Sequence, residues 1–202
     1  MRITVLGASG GTGTKIVELA REAGHDVTAI VRTRNGRDTV ADVMDPDSIG
    51  PHVAGADAVV SAIGPRAVRQ PTSVQTDSTR SVILAMKTHG VRRLVVVSNS
   101  GMVVDGDGPF TRYLVKPVLR QVLKHPWGDM ARMEDVVRAS GLEWTIVRPP
   151  QLTDGPRTDT YRTAVDTNVR GGMRVSRADL AALVLRCVVD PGTARQAISV
   201  AD

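Results

Sequence analysis

Apolar residues along this chain fall into two rhythms that take turns from one end to the other. Short strand-like runs occupy 3–6, 27–31, 57–62, 94–97 and 144–147, with a short one near 39–43 and a last one at 197–200. The run Leu94, Val95, Val96, Val97 is continuously apolar, as a strand buried on both faces of a parallel sheet should be. Between these runs lie helix-like stretches at 15–23, 72–89, 128–139 and 177–189, and Asp45, Pro46 and Asp47 read as a further helix start. In the second stretch Val74, Val82, Ile83 and Met86 form a helical stripe that Gly90 stops, and Gly141 stops the third. Strands alternating with helices give a doubly wound parallel sheet with helices on both faces, the α/β class. Ligands of such sheets bind outside the carboxyl ends of the strands.

Composition narrows the picture. The 202 residues carry no break in composition, so one domain over 1–202 is expected. Hydrophobic residues make up 42% but aromatics only 2%, so Val, Ile, Leu, Ala and Met must fill the core. The net charge of +5 invites a nucleic-acid reading, yet the arginines are scattered singly and no basic block or recognition motif occurs. The charge would equally attract an anionic cofactor. Cys187 sits in the apolar run Leu183, Val184, Leu185 and reads as a buried small hydrophobe. A single cysteine closes no internal disulfide, which fits a reducing cytoplasm. The first strand leaves no room for a signal peptide, and no apolar run approaches the ~20 residues of a membrane span. The four histidines lie far apart and no metal site is expected. These observations predict a monomer or weak homo-oligomer with neither nucleic acid nor membrane as a partner.

The chemistry sits at the strand ends, and the first is the most informative. Ile3, Thr4, Val5 and Leu6 run into GASGGTG, with glycines at 7, 10 and 13. A tight turn off the strand needs Gly7; Gly10 lets backbone amides approach a pyrophosphate; Gly13 lets the helix lie close to the strand. The helix N-terminus adds unpaired N–H groups and a positive dipole end. Gly7, Ser9, Gly10, Gly11, Thr12 and Gly13 are therefore the candidate phosphate cradle. The second strand ends in Arg32, Thr33 and Arg34, where an NAD-binding chain usually carries an acid for the ribose 2′-hydroxyl. A cation at Arg32 suits the 2′-phosphate of NADP, with Thr33 and Arg34 beside it. Arg34 and Arg37 can also be read as solvated loop charges. Asp42 and Val43 either hold an adenine or cap the turn before Asp45. Ala62, Ile63, Gly64, Ser98 and Pro149 would line the path of the nicotinamide ribose.

The stretches GASGGTG, SNSG after the fifth strand and RMEDVVRASGLEWTIVRPP resemble the atypical short-chain dehydrogenase/reductases, the NmrA-like NAD(P)H-binding proteins among them. VRTR, ADVMDPDSI, AMKTHGVRRLVVVS, ASGLEWTIVRPPQLTD and SRADLAALVLRCV resemble the biliverdin-IXβ reductase/flavin reductase type in order and spacing. The resemblance covers essentially the whole chain. It implies a Rossmann fold, NADP(H) as cofactor, an acceptor site built by the C-terminal segments, and hydride transfer to a flavin, quinone or related conjugated acceptor.

Departures from those families carry information. Conventional short-chain dehydrogenases use Tyr-x-x-x-Lys, whereas Tyr113 and Lys116 are one residue too close and read as loop. The flavin-reductase type flanks its substrate with a serine after the fifth strand and a histidine after a Pro-Pro pair; Asn99, between Ser98 and Ser100, and Gln151 stand there. Neither is an acid or a base, which disfavours difficult carbonyl reduction more than flavin reduction, where stacking and water exclusion matter most. Glu134 is the remaining candidate acid–base. Its competing reading, favoured on sequence, is a surface helix charge paired with Arg138 at i+4. A non-catalytic NADP(H) sensor of NmrA type is the alternative function.

Overall fold

The computed structural model describes residues 1–33, 36, 38–64, 70–109 and 111–202. The elements are β1 (Arg2–Leu6), α1 (Gly11–Glu22), β2 (Asp26–Val31), β3 (Thr39–Val40), α2 (Pro46–Val53), β4 (Ala58–Ser61), α3 (Val74–Thr88) and β5 (Arg93–Val97). A π-helical turn (Thr111–Val115) then runs into α4 (Lys116–Val122), followed by α5 (Lys124–Arg138) and β6 (Glu143–Arg148). The chain closes with β7 (Gln151–Thr153), β8 (Arg162–Val165), β9 (Arg174–Ser176), α6 (Arg177–Val189) and β10 (Gln196–Ala201).

The main sheet has the order β3-β2-β1-β4-β5-β6-β10-β8 and is parallel except at its last edge. Strand order reverses at β1: the chain leaves β1 for β2 on one side and later returns to β4 on the other. That reversal opens the crevice in which doubly wound sheets bind ligands. Period-two alternation sorts the core into two layers. Ile3, Val5, Val95 and Val147 meet Ile16 of α1 and Leu180 and Val184 of α6. Leu6, Leu94, Val96 and Ile146 meet Ile49, Met86 and Met133 of α2, α3 and α5. The doubly wound expectation is thus met by side chains on alternate faces of the same strands.

Caps set the helix boundaries. Asp45 accepts the Asp47 amide at 3.0 Å with Pro46 in the first turn, and the Ser176 hydroxyl accepts the Asp179 amide at 2.9 Å at the start of α6. The first turn of α3 is held from a distance: the buried Asp129 carboxylate accepts the amides of Gln75 and Thr76 at 3.0 and 3.1 Å.

Four points of the expected layout are corrected. β8 pairs antiparallel with β10, adding an eighth strand to the seven expected. β7 and β9 form a separate two-stranded sheet beyond the main one. The region of Tyr113 and Lys116 is helical rather than loop, and α5 begins at Lys124 rather than 128. The short edge strands bury too few side chains to show an alternation. The segment 111–122 keeps its best apolar stripe in solvent, so it lacked the amphipathic contrast that marks a packed helix.

Candidate functional site

Gly7 ends β1 at φ +76°, and a Cβ there would lie 2.7 Å from the Ala62 carbonyl oxygen at the end of β4. A Cβ on Gly13 would overlap the Gly7 carbonyl itself, so α1 can start this close to the strand only with glycine. The Gly10 amide donates to the Gly7 carbonyl at 3.0 Å, and the Thr14 hydroxyl to the Ala8 carbonyl at 3.0 Å, which fixes the loop. Gly10 caps α1 with extended backbone and no side-chain cap. The first-turn amides are therefore unclaimed among the described residues, which is the arrangement an anion requires.

Around this cradle the strand ends converge as the sequence suggested. A cavity of about 380 Å³ is lined by Thr12, Ala62, Ile63, Gly64, Ser98, Asn99, Pro149 and Gln151, together with Gln75 and Arg177. Backbone hydrogen bonds from Ser98 to Val147 (2.8 Å) and from Ser100 to Pro149 (2.9 Å) zip the ends of β5 and β6 together. Arg32 and Thr33 stand exposed just past β2. Arg34, Arg37 and Pro65 lie outside the described residues. Asp42 shows its capping role: its carboxylate accepts the Met44 amide at 2.9 Å, while its own amide donates to the Ser48 hydroxyl at 3.0 Å. Val43 packs partly into the core beside it.

Two residues of this cavity had no sequence argument behind them. Gln75 is buried and its Nε2 donates to the Ile63 carbonyl at 3.2 Å, while its Oε1 has no partner among the described residues. Arg177 opens α6 so close to the cradle that a Cβ on Gly11 would sit 3.0 Å from its Nε. Its guanidinium also meets Asp154 at 2.5 Å. Glycine-rich cradle, open helix end, adjacent cation and orphaned carboxamide oxygen together fit a nicotinamide dinucleotide. In the sequence Arg177 entered only as the first residue of the helix-like stretch 177–189, which says nothing of its place beside Gly11.

Glu134 is not the surface charge expected. It is buried, its Oε1 accepting from the Ser98 hydroxyl at 2.7 Å and from Arg148 Nε at 2.9 Å, its Oε2 from Arg148 Nη2 at 2.5 Å. Arg138 lies 3.6 Å away, as i+4 spacing suggested, but its guanidinium also stacks on Trp144, 5.1 Å from the ring. Helix periodicity finds only partners on the same helix, and Arg148 comes from β6. A carboxylate clamped on both oxygens is a positioning group, and it fixes Ser98 as a donor toward Glu134. Toward the cavity Ser98 then offers only lone pairs.

Asn99 Oδ1 accepts the Gly101 amide at 2.6 Å, so its Nδ2 is the group left to act as a donor. Gln151 is exposed at the start of β7. Both residues, with Pro150, also line a second cavity of about 470 Å³. Its walls are mainly apolar, with Leu119, Leu123, Trp127, Val169 and Met173 among them. Lys116 reaches this cavity too, but it is buried against Asp107 and the Val103 carbonyl and lies 3.4 Å from the Ser100 carbonyl. Tyr113 is exposed, and Lys116 is committed elsewhere, so no Tyr–Lys acid forms. Burial pushes the Cys187 thiol up to about 11 against the pull of Arg93, which leaves it an inert core residue. Beyond the cradle, burial raises the Asp179 carboxyl, yet hydrogen bonds from the Asp159 and Thr158 amides and two hydroxyls outweigh it and hold it below the ordinary range. That carboxylate fastens the 158–159 turn to α6.

The family profile described as NAD(P)H-binding matches residues 7–191, from the first glycine to just past α6. The chain belongs to the NAD(P)H-binding family. This NAD(P)H-binding chain is 28% identical over 195 residues to the uncharacterised Bacillus subtilis protein YwnB, covering 92% of one and 91% of the other. It is 28% identical to a Streptomyces 3-diazoavenalumate denitrifying reductase over 80% of its own length and 59% of that protein's. Among solved structures, a Streptococcus pneumoniae protein provisionally named an NADH-flavin reductase matches at 25% identity and TM-score 0.78, over 100% and 99% of the chains. A Veillonella parvula short-chain dehydrogenase/reductase in complex with NADP shares the fold, with TM-score 0.80, 20% identity and coverage of 100% and 94%. Family and fold together make this an NAD(P)H-binding chain with a Rossmann-like, mostly parallel sheet. No helix among the described residues is long and apolar enough to cross a membrane.

Proposed function

We propose that the chain is an NADP(H)-dependent oxidoreductase that delivers hydride to a flat, conjugated acceptor of the flavin or quinone class. One observation carries this reading: the cavity beside the glycine cradle adjoins a larger, mainly apolar cavity, and Asn99, Pro150 and Gln151 belong to both. When bound, the dinucleotide supplies the hydride. Gly10 to Gly13 and the N-terminus of α1 hold its pyrophosphate, and Arg32 meets its 2′-phosphate with a charge-assisted hydrogen bond. Ser98, fixed by Glu134, and the Gln75 carboxamide oxygen accept hydrogen bonds at the inner end. Asn99 Nδ2 and Gln151 donate to the acceptor as it gains negative charge, and the apolar walls exclude water. None of these groups is an acid, so protons reach the reduced acceptor from solvent.

The provisional flavin-reductase naming of the Streptococcus relative and the reductase activity in the name of the Streptomyces relative support an acceptor of this kind. A second reading, a non-catalytic NADP(H) sensor, is favoured by the exposed Tyr113 and the engaged Lys116. Oxidation of NADPH at 340 nm with FMN, riboflavin and quinones separates the two. Turnover of at least one acceptor is expected; tight NADPH binding with none consumed establishes the sensor.

A further inference from the structure

The segment from the π-helical turn through α4 presents its apolar side chains to solvent. Leu114, Val118 and Val122, at i, i+4 and i+8, are 60%, 63% and 57% exposed, and Tyr113 beside them is 72% exposed. Monomer surfaces rarely leave such a stripe without a use. Every charge on the same segment is positive. No acidic residue occurs between Gly108 and Gly128, while Arg112, Arg120 and Lys124 are exposed and have no ion-pair partner among the described residues. The bounding acids Asp107 and Asp129 are turned inward, one against Lys116 and the other against the start of α3.

The same helix walls the larger cavity with Leu119, and Leu123, between α4 and α5, lines it too. Met173, which also lines the cavity, is 62% exposed and has the exposed Arg170 and Arg174 close by in the chain. Two chain segments that contribute to the cavity lining thus carry the same combination of protruding apolar side chains and cations without an ion-pair partner among the described residues. That combination is what a segment lying in the headgroup layer of an anionic bilayer requires: apolar atoms enter the acyl boundary and arginines meet lipid phosphates.

We propose that α4 and the 170–174 segment dock the chain onto an anionic phospholipid surface and open the larger cavity to an acceptor dissolved in the bilayer. The second half, which makes the acceptor a lipophilic quinone, rests on reading that cavity as the acceptor site. A second copy of this chain is the weaker occupant, because a two-fold contact would bring Arg112, Arg120 and Lys124 against their own equivalents. Nucleic acid is weaker still, since the stripe is aliphatic and offers Tyr113 alone for stacking. The expectation of no membrane partner rested on the lack of a spanning run, which an interfacial helix does not need.

The test is co-sedimentation of the full chain with vesicles of phosphatidylcholine alone or mixed with phosphatidylglycerol. Pelleting only with phosphatidylglycerol, reversed by salt, is expected. Arg112→Gln with Arg120→Gln should weaken it by roughly tenfold or more, and Leu114→Gln with Val118→Gln should weaken it comparably, both leaving NADPH affinity unchanged. No pelleting with phosphatidylglycerol, or variants that pellet like the parent, overturns docking. A concentration-dependent dimer lost in Leu114→Gln/Val118→Gln, without vesicle binding, overturns it in favour of a second copy. For the acceptor, both double variants should slow NADPH oxidation by a vesicle-embedded, long-tailed quinone but not by a short, water-soluble one. Vesicle binding with neither quinone reduced overturns the acceptor half and leaves the docking surface standing.

Discussion

The two ends of the crevice are built on different principles. At the cradle the work is done by backbone: glycines at 7, 10 and 13 and the open first turn of α1, all within one strand-turn-helix unit. At the proposed acceptor end it is done by side chains gathered from β5, α4, α5, the end of β6, β7 and the 168–173 loop. Backbone sites tolerate sequence change everywhere except where a Cβ cannot fit, so they leave a short readable signature. Side-chain sites depend on long-range contacts that buried partners hold in place, and they leave almost none.

The largest effect should come from the support behind the acceptor end. Glu134→Ala strands the buried Arg148 guanidinium without its bidentate partner, a loss of about 3–5 kcal/mol in stability that thermal or denaturant unfolding will show. Glu134→Gln, which keeps the shape, should retain acceptor turnover better than stability. A hundredfold fall in kcat with folding and NADPH binding intact would instead make Glu134 an acid–base catalyst.

Gly10→Val probes the cradle. A Cβ at Gly10 would lie 3.3 Å from the Gly7 carbonyl, a fit that a small local shift accommodates, so the variant should fold. It should nevertheless lose NADPH by calorimetry by at least on the order of a hundredfold, since two displaced amide–phosphate hydrogen bonds at about 1.5–3 kcal/mol each suffice for that. Unchanged affinity would separate the cradle from the phosphate site.

Arg32→Ala sharpens the cofactor choice. NADPH should weaken by roughly 1.5–3 kcal/mol while NADH barely changes, and equal losses would remove Arg32 from the 2′-phosphate. The smallest effects belong to Asn99→Ala and Gln151→Ala, each removing a neutral hydrogen bond of about 0.5–1.5 kcal/mol. The acceptor KM should rise several-fold while the pH profile of kcat stays in place. A displaced pH profile would show that one of them controls a proton.

The same contrast explains what could be read from the chain in advance. The succession of strands and helices along the chain and the extent of α6 follow from local periodicity and caps, which act within a few residues, and the alternation implies helical layers on both faces. Gly7 and Gly13 announced their own geometry. Arg148 as partner of Glu134, Arg177 beside Gly11 and the orphaned Gln75 oxygen did not, because each pairing joins separate elements of the sheet and its helices. The helix at 111–122 went unread for a further reason: its apolar stripe faces outward, so the rule that apolar means buried points the wrong way there.

In the proposed function, hydride leaves a dinucleotide held at the cradle for an acceptor held in the adjoining cavity. Single-turnover mixing of the NADPH-loaded chain with the best acceptor, using cofactor protiated or deuterated at the transferring carbon, tests it most directly. Absorbance at 340 nm should fall only when acceptor is present, in step with acceptor reduction, and more slowly with deuterium. Absorbance that stays constant at saturating NADPH across flavins and quinones would contradict it.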